Sequence, residues 1–373
     1  MRDTLLNGLT PAQFLQRHWQ KKPLLARAAL PQFSTLTGRR ELFELAQCTE
    51  AESRLIIRDG RRWQLRHGPF SRRDFSALPA RNWTLLVQGV NHLLPQAQDL
   101  LERFSFIPHA RLDDLMVSYA PPGGGVGPHF DSYDVFLLQG EGQRRWRISS
   151  QRDLALVDTA PLKILRNFRA TREWTLCVGD MLYLPPRCAH DGVALDECIT
   201  YSIGFRAPSA QDLSARFLDF LHDRLDVPGL YADPDLMPTD NPGRIDRAMA
   251  NRLLRLLGGL RWTREDLLQF IGEDLSTPKP HIVFTPPQRA LSTKAFTKRV
   301  AAAGLHLAPQ TLLLYDDHAF YINGEHCIAP AAARAHLSSL ADRRRLPPSP
   351  LPTAAAELLH EWYRAGYLAP GER

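Results

Sequence analysis

The sequence predicts an α+β protein in which a β-rich unit comes first and two further units follow it. Between residues 112 and 206, short runs of β-branched and aromatic residues alternate with turns, a spacing typical of a β-barrel or sandwich. After Pro208, leucine and phenylalanine recur at helical spacing. A proline-rich linker at 276–287 precedes a third segment with helices and a hairpin. We therefore expect units at 1–208, 209–276 and 277–373.

The composition is that of an ordinary globular protein. The 373 residues are 44% hydrophobic and 23% charged. No run of about 18 apolar residues occurs, so no membrane span is expected, and the first residues lack the apolar segment of a signal peptide. The cysteines are odd in number and form no CxxC pair: Cys48, Cys177, Cys188, Cys198 and Cys327. These features favour a cytoplasmic protein without disulfides.

The chain is mildly basic, with a formal net charge of +6 and a pI of about 9.2. Arginine groups occur at 39–40, 61–62, 72–73, 144–145 and 343–345. Such groups are found on solvated surfaces and also on surfaces that bind nucleic acid or a ribonucleoprotein. Because no run of five like charges is present, a solvated surface is favoured, and direct RNA contact stays open.

Helices and strands alternate before residue 112. Thr10 is suited to cap the first helix, because Pro11 follows at the first helical position. Asp59 followed by Gly60 is typical of a hairpin turn between strands at 54–58 and 61–65. We also expect helices at 38–49 and 90–104, and a strand at 83–88.

The β-rich unit and the helical unit after it show different periods. Strands are expected at 115–119, 134–138, 145–148, 174–178, 181–184 and 199–205. Helices are expected at 212–225, 244–257 and 263–275, the last beginning at an N-cap, Thr263, with Asp266 at N3. Their apolar stripes favour a homodimer formed through this unit. The alternative is that the stripes pack only on the chain's own barrel.

The third unit combines helices with one hairpin. Helices are expected at 293–303, 331–341 and 353–366, and strands at 311–315 and 319–323 flank a turn. This combination is typical of a winged-helix-like module. Such modules often bind DNA and often serve for docking instead, so nucleic-acid binding stays open.

The stretch 116–148 carries the first candidate metal ligands. His129 and Asp131 are two residues apart, and on a β-strand their side chains would point to the same face. The glycine-rich run 123–127 before them lets the backbone pass close to a bound group. One further neutral imidazole would complete the 2-His-1-carboxylate triad of non-haem Fe(II) oxygenases.

His190 is the candidate for that third ligand. It follows a Gly-Asp turn, the strand at 181–184 and a Pro-Pro bend. In a double-stranded β-helix the last ligand sits on a later strand across the barrel, and the long interval after Asp131 leaves room for the strands between. Cys188 lies close by, but Fe(II) oxygenases prefer nitrogen and oxygen donors, and a buried thiol is the simpler interpretation.

A facial triad leaves coordination positions open for a 2-oxo acid and O₂. The distal carboxylate of 2-oxoglutarate would need a fixed cation, best a bidentate guanidinium. Arg144 and Arg145 are candidates, and alternation puts Arg144 with Trp146 on one strand face and Arg145 with Arg147 on the other. Periodicity does not decide which face is inward. Ser118 on a preceding strand offers a hydroxyl.

Three motifs resemble the JmjC (cupin) family of 2-oxoglutarate oxygenases: HFD at 129–131, GDMLYLPPRCAH at 179–190 and GQRRWRI at 142–148. FLQRHWQKKPLL at 14–25 is similar to the N-terminal signature of the JmjC ribosomal oxygenases. The resemblance covers nearly the whole chain. It implies a double-stranded β-helix, a helical dimerisation domain and a C-terminal winged helix.

The resemblance also implies roles for individual residues. His129, Asp131 and His190 match the iron ligands, Arg144 matches the 2-oxoglutarate anchor, and Ser118 matches a position that helps to hold the co-substrate. JmjC histone demethylases commonly use lysine as this anchor. The arginine found here therefore favours the ribosomal-oxygenase branch.

The implied reaction is Fe(II)- and 2-oxoglutarate-dependent hydroxylation, at Cβ, of an arginine in the sixteenth protein of the large ribosomal subunit. Alternatives are histidine hydroxylation, lysine demethylation or RNA modification by the same chemistry, or a non-catalytic cupin–winged-helix regulator. Acidic or aromatic side chains near the mouth would suit a cationic substrate: Asp113, Asp114, Tyr133 and Asp134. These carboxylates could equally be solvated or paired with nearby arginines.

Overall fold

The computed structural model describes residues 4–60 and 62–371. Arg61, expected in the second hairpin strand, lies outside the described residues, as do the terminal residues 1–3 and 372–373 of the first and third units. Within the described part, no helix has the length and apolarity needed to span a membrane.

Two antiparallel sheets form the first unit. The strands of the larger sheet are, in spatial order, β1 (Leu24–Ala26), β9 (Met181–Leu184), β6 (Val135–Glu141), β11 (Cys198–Phe205), β5 (Leu112–Ala120), β4 (Trp83–Val87), β2 (Ser53–Asp59) and β3 (Arg62–His67). The smaller sheet contains β10 (Ala189–Ala194), β7 (Arg144–Ser149) and β8 (Arg172–Leu176). Together the sheets form the barrel that the strand-rich pattern predicts.

N-terminal helices cover the outer face of the larger sheet. They are α1 (Pro11–Arg17), α2 (Arg39–Leu45), α3 (Arg72–Ser76) and α4 (Pro95–Glu102). Phe14 of α1 is fully buried and meets Phe136 and Tyr183 with ring centroids 5.4 and 4.9 Å away. Aromatic contacts of this kind add to the burial of apolar area, so α1 is part of the hydrophobic core.

Some predicted elements differ from the observed ones. The single helix expected at 90–104 is a 3₁₀ turn, Val90–His92, followed by α4, because Pro95 provides no backbone N–H and takes the first helical position. The helix expected at 38–49 ends at Leu45. β1, α3 and β10 were not predicted. The hairpin of β2 and β3 is confirmed, but Asp59, expected in the turn, is the last residue of β2 and pairs with Arg62.

The helical segment after the barrel contains α5 (Ala210–His222), α6 (Arg247–Leu257) and α7 (Arg264–Ser276). Phe217 and Phe220 of α5 meet Phe270 of α7, with centroids 5.2 and 5.6 Å apart. By contrast, α6 contains no buried residue. Apolar side chains of this segment are left exposed, including Leu218, Leu230, Met237, Ile245, Leu254 and Leu257.

The C-terminal unit has its own hydrophobic core between three helices and two small sheets. Its helices are α8 (Thr293–Ala303), α9 (Ala331–Arg343) and α10 (Thr353–Arg364). Its strands are β12 (Leu305–Leu307), β13 (Leu313–Tyr315), β14 (Phe320–Ile322), β15 (Glu325–Cys327), β16 (Arg345–Leu346) and β17 (Leu368–Pro370). Helix α7 packs against this unit, since a Cβ on Gly272 would overlap the ring of Tyr321.

Candidate metal centre and its surroundings

His129 and His190 lie beside each other as a backbone-paired couple. The amide of each donates to the carbonyl of the other, at 2.9 and 2.8 Å. His129 and Asp131 do not share a strand, because only His129 forms a bridge. His190 on β10 lies next to His129, not across the barrel as expected. Asp131 keeps its position through its carbonyl, which accepts from the amide of Arg187 at 2.7 Å.

The three side chains converge on one point. Ligand atoms of His129, Asp131 and His190 all lie within 4.8 Å of one another, and Nε2 of His190 is 3.6 Å from a carboxylate oxygen of Asp131. The sequence-predicted set is therefore brought together. Two nitrogen donors and one carboxylate fit the donor chemistry of a non-haem Fe(II) site.

Hydrogen bonds fix the tautomer of both imidazoles. Nδ1 of His129 is 2.8 Å from the carbonyl of Gly127, and Nδ1 of His190 is 2.9 Å from the carbonyl of Cys188. A carbonyl only accepts, so each Nδ1 carries the proton. Each Nε2 is left with a lone pair directed at the shared point, as a metal ligand requires.

Burial keeps the His190 ring neutral. His190 is almost fully buried, and this burial, together with nearby His129, lowers its pKa to about 4. A neutral imidazole is the form that binds a metal. Cys188 is also buried, which raises the pKa of its thiol to about 11. It therefore remains a protonated, inert thiol.

Arg144 lies inside the barrel wall. Residues on β7 alternate between buried and half-buried, with Arg144 and Trp146 inward and Arg145 and Arg147 outward. Nη1 of Arg144 donates to Oγ of Ser118 at 3.3 Å. Within the described part of the chain, its Nε and Nη2 are buried without a hydrogen-bond partner. Buried guanidinium donors of this kind are costly unless an anion binds them.

One open cavity of about 1000 Å³ joins these groups. Its walls contain His129, Asp131 and His190, with Ser118 and Arg144 further in. The remaining lining residues come mainly from the larger sheet, the glycine-rich run and the following loop: Arg54, Ile56, Leu86, Gln88, Asp113, Asp114, Met116, Val126, Tyr133, Val135, Leu137, Trp146, Leu162, Ser202 and Gly204.

The four residues expected near the mouth separate into two groups. Asp113, Asp114 and Tyr133 line the cavity, and burial raises the pKa of Tyr133, so its phenol stays neutral. Asp134 does not line it. Its buried carboxylate accepts from Tyr183 at 2.5 Å and from Gln20 at 3.0 Å, which makes it a structural residue.

Sequence patterns did not single out Arg54 in the cavity wall. Its Nη2 donates to Oε1 of Gln88 at 3.0 Å. Alternation along β2 places Arg54 and Ile56 on the same face. Assigning Ile56 to the barrel interior would therefore have predicted an inward-facing Arg54 as well.

Comparison with known families matches two parts of the chain. Residues 99–213 match the JmjC domain, and residues 259–369 match the ROXA-like winged helix. The chain is 38% identical over 276 residues to the ribosomal protein uL16 3-hydroxylase of Escherichia coli K12, an alignment covering 74% of each protein. This chain belongs to the JmjC ribosomal oxygenases.

Solved structures agree with this membership over nearly the full length. The X-ray structure of E. coli YcfD superposes with a TM-score of 0.87 at 32% identity, covering 97% of this chain and 98% of YcfD. A structure of the same ribosomal oxygenase with cobalt and 2-oxoglutarate has a TM-score of 0.84. A probable ribosomal oxygenase of Haemophilus influenzae is 39% identical over 233 residues, covering 61% of this chain and 55% of its own. The predicted α+β fold, with a JmjC double-stranded β-helix and a winged helix, is confirmed.

Proposed function

We propose that this ribosomal oxygenase hydroxylates Cβ of an arginine in the large-subunit protein uL16, using Fe(II) and 2-oxoglutarate. The observation that carries the proposal is the joint presence, in one cavity, of the His129, Asp131 and His190 donors and the buried Arg144 guanidinium. The similar E. coli protein is a uL16 3-hydroxylase. The similar structure that contains cobalt and 2-oxoglutarate supports the choice of co-substrate.

His129, Asp131 and His190 would hold the iron. Their tautomers leave Nε2 of each imidazole available as a donor, and the low pKa of His190 keeps that ring neutral near neutral pH. Bound iron and 2-oxoglutarate supply the oxidising power that inserts one atom of O₂ into a C–H bond. The protein's own part is to hold the ligand set in the cavity wall and to keep the remaining positions accessible.

Arg144 would bind the distal carboxylate of 2-oxoglutarate. Its Nε and Nη2 lie on one edge of the guanidinium and are the two donors left without a partner in the described part of the chain. A carboxylate accepts such a pair of parallel hydrogen bonds. Ser118 bonds to the third nitrogen and so fixes the plane of the guanidinium.

Asp114 and Tyr133 would receive the substrate's guanidinium. Both line the cavity that contains the ligand set. A carboxylate favours a cation, and the face of a tyrosine ring also attracts one. Bound iron and 2-oxoglutarate would supply the oxidation without a base from the protein, so selectivity for one carbon depends on how firmly the far end of the side chain is held.

Mass spectrometry of ribosomal proteins tests the proposal. Proteins from the parent bacterium and from a strain lacking this gene are compared, and a uL16 peptide is expected to lose the mass of one oxygen atom on an arginine. Restoring the gene should restore the oxygen. If uL16 from both strains has the same mass, the substrate assignment is wrong. An oxygen lost from a histidine of another ribosomal protein would instead indicate histidine hydroxylation.

We also propose the quaternary state and the division into units. Residues 1–208 would form the oxygenase domain, 209–276 a helical dimerisation domain and 277–373 the winged-helix domain. The apolar side chains that α6 leaves exposed, such as Leu254 and Leu257, support a homodimer. A uL16 substrate supports a cytoplasmic location for the enzyme, and none of these proposals requires direct RNA contact.

A further inference from the structure

Lys279 connects the C-terminal part of the chain to the wall of the active site. It lies three residues after α7, between Pro278 and Pro280. A proline fixes its own backbone angle and keeps the residue before it extended. The backbone around Lys279 is therefore restricted before folding, so less conformational entropy is lost when its side chain is held in one direction.

The ammonium group of Lys279 meets two carboxylates of β5. Nζ is 3.1 Å from Oδ1 of Asp113 and 3.4 Å from Oδ2 of Asp114. Arg206, directly after β11, lies 3.7 Å from the same Oδ1 of Asp113 and donates to the carbonyl of Leu275 in α7. These contacts attach the end of α7 to the barrel at the position of the acidic pair.

The two oxygens of Asp114 face different surroundings. Oδ2 accepts from the amide of Gly89 at 3.2 Å and from Lys279. Oδ1 lies beside Gly204, 3.9 Å from where a Cβ on that glycine would be, and Gly204 lines the active-site cavity. Lys279 itself lines a separate, smaller cavity between the barrel and the C-terminal unit. The lysine therefore supports Asp114 from behind and does not occupy the active-site cavity.

We propose that Lys279 is a positioning residue that determines specificity for a cationic substrate side chain, because it holds Asp114 ionised and turned toward the active-site cavity. The inference rests on the proposed function in one respect, namely that Asp114 receives the substrate's guanidinium. The segment that joins the helical and winged-helix units would then contribute directly to substrate affinity.

Electrostatics explains why such support is needed. Asp114 is 4% exposed, and burial, with a smaller effect from neighbouring Asp113, raises the pKa of Asp114. Burial alone would lower the pKa of Lys279, but the carboxylates of Asp114 and Asp113 together raise it. Lys279 thus stays charged and opposes the neutralisation of Asp114.

The test compares Lys279→Met, Lys279→Arg and, as a matched control, Lys294→Met on the exposed surface of α8. Steady-state kinetics are measured with an arginine-containing uL16 peptide and with the same peptide carrying neutral citrulline. Lys279→Met is expected to raise KM for the arginine peptide about tenfold, the loss typical of one charge-assisted hydrogen bond. Its kcat and its weak binding of the citrulline peptide should change little. Lys279→Arg should restore KM, and Lys294→Met should match the parent.

The pH dependence of KM separates positioning from simple structural support. Lys279, Asp113, Tyr133 and the amide of Gly89 are the groups that face Asp114. Without the lysine charge, the pKa of Asp114 rises further, so the carboxylate takes up a proton at higher pH. The ratio of the variant's KM to the parent's should therefore increase as pH falls.

Three results would overturn the inference. One is an unchanged KM in Lys279→Met. Another is an equal rise in KM for the arginine and citrulline peptides together with a lower melting temperature, which would indicate a purely structural contact. Binding of acetyl-arginine amide, followed by saturation-transfer NMR, needs neither turnover nor a known protein substrate. If uL16 is not hydroxylated but this probe binds the parent and not Lys279→Met, only the proposed function has failed. The third result that would overturn the inference is equal binding of acetyl-arginine amide to the parent and to Lys279→Met.

Discussion

At the scale of single residues, the candidate metal centre is oriented by hydrogen bonds that do not involve a metal. The Nδ1 protons of His129 and His190 are committed to backbone carbonyls at 2.8 and 2.9 Å. Both rings are therefore oriented before any ion arrives, and little reorganisation is needed when one binds. The carboxylate of Asp131 has no comparable hydrogen bonds in the described part of the chain. Its orientation should therefore depend most on the bound ion.

Replacing Asp131 by alanine should remove turnover and leave the fold intact. The side chain is partly exposed and makes no ion pair within the described part of the chain, because its neighbour His190 is neutral, so the metal-free protein loses little stability. Turnover of 2-oxoglutarate should fall by at least ~100-fold, because loss of a direct ligand exceeds the 10–100-fold cost of losing its supports. Turnover and circular dichroism are measured beside Glu50→Ala, an exposed carboxylate. Parent-level turnover in Asp131→Ala would exclude it as a ligand.

Arg144→Lys should weaken 2-oxoglutarate binding by about tenfold, since an ammonium cannot present two parallel donors to a carboxylate. Arg145→Lys is the matched control, because Arg145 is on the outward face of the same strand. Anaerobic titration with Fe(II), followed through the metal-to-ligand charge-transfer band, gives the affinity. Equal affinities for the two variants would mean that Arg144 is not the anchor.

The sequence identified candidate site residues where a motif coincides with the two-residue period of a β-strand. The two-residue spacing of His129 and Asp131 predicted that their side chains lie close together, and they do, although the two residues do not share a strand. Alternation divided the arginines of β7 into two faces, and only burial in the folded barrel shows which face is inward. Lys279 carried no motif, because its significance comes from a contact with residues more than a hundred positions earlier.

At the scale of elements, the glycine-rich run before His129 is shaped by its neighbour. Gly125 lies so close to Gly192 of β10 that a Cβ would overlap the backbone carbonyl there. Gly127 has a φ of +87°, a conformation that residues with side chains rarely adopt. The run therefore lies directly against the strand that carries His190.

Gly125→Ala should destabilise the protein and disturb the metal centre. The methyl group must push β10 away, and overpacking of this kind costs about 1–3 kcal/mol. We expect a lower melting temperature and a reduced stoichiometry of bound Fe(II). Gly243→Ala is the control, because no atom lies within 4 Å of its added Cβ. If Gly125→Ala melts and binds iron like the parent, the run and β10 are not in close contact.

Element boundaries were predictable where local chemistry decides them. Thr10 and Thr263 form the capping boxes of α1 and α7 in the structure. Strand β10, in contrast, reads as Ala-His-Asp-Gly-Val-Ala, which has little intrinsic β-preference. It exists because β7 pairs along its whole length, a tertiary effect that a local pattern does not contain.

At the scale of the whole molecule, the helical segment leaves apolar surface unpaired within one copy. Leu254 is 71% exposed and Leu257 is 57% exposed on α6. Leu254→Glu combined with Leu257→Glu should convert a dimer into monomers, because charges at the centre of an apolar interface are strongly unfavourable. Light scattering over a range of concentrations measures the mass. Leu254→Gln with Leu257→Gln serves as a milder comparison, and a parent mass that stays monomeric throughout contradicts the dimer.

The composition change after Pro208 lies between β11, which stops at Phe205, and α5, which begins at Ala210. The contact of α7 with β14 and β15, through Gly272 and Ser276, was not foreseeable from helical spacing. Helical periodicity identifies an apolar face but does not identify the surface that covers it. Assignment of α7 to one unit or the other therefore required the folded structure.

The backbone pairing of His129 with His190 has a consequence for how this architecture can diversify. Because the two residues exchange both of their hydrogen bonds, the separation of the imidazoles is set by the width of an antiparallel pair, which sequence changes scarcely alter. The walls that surround the substrate can therefore mutate without moving these two donors. A change of substrate therefore requires remodelling of the surrounding walls, such as β2, β5 and the loop after Asp131, and leaves the spacing of the two imidazoles as it is.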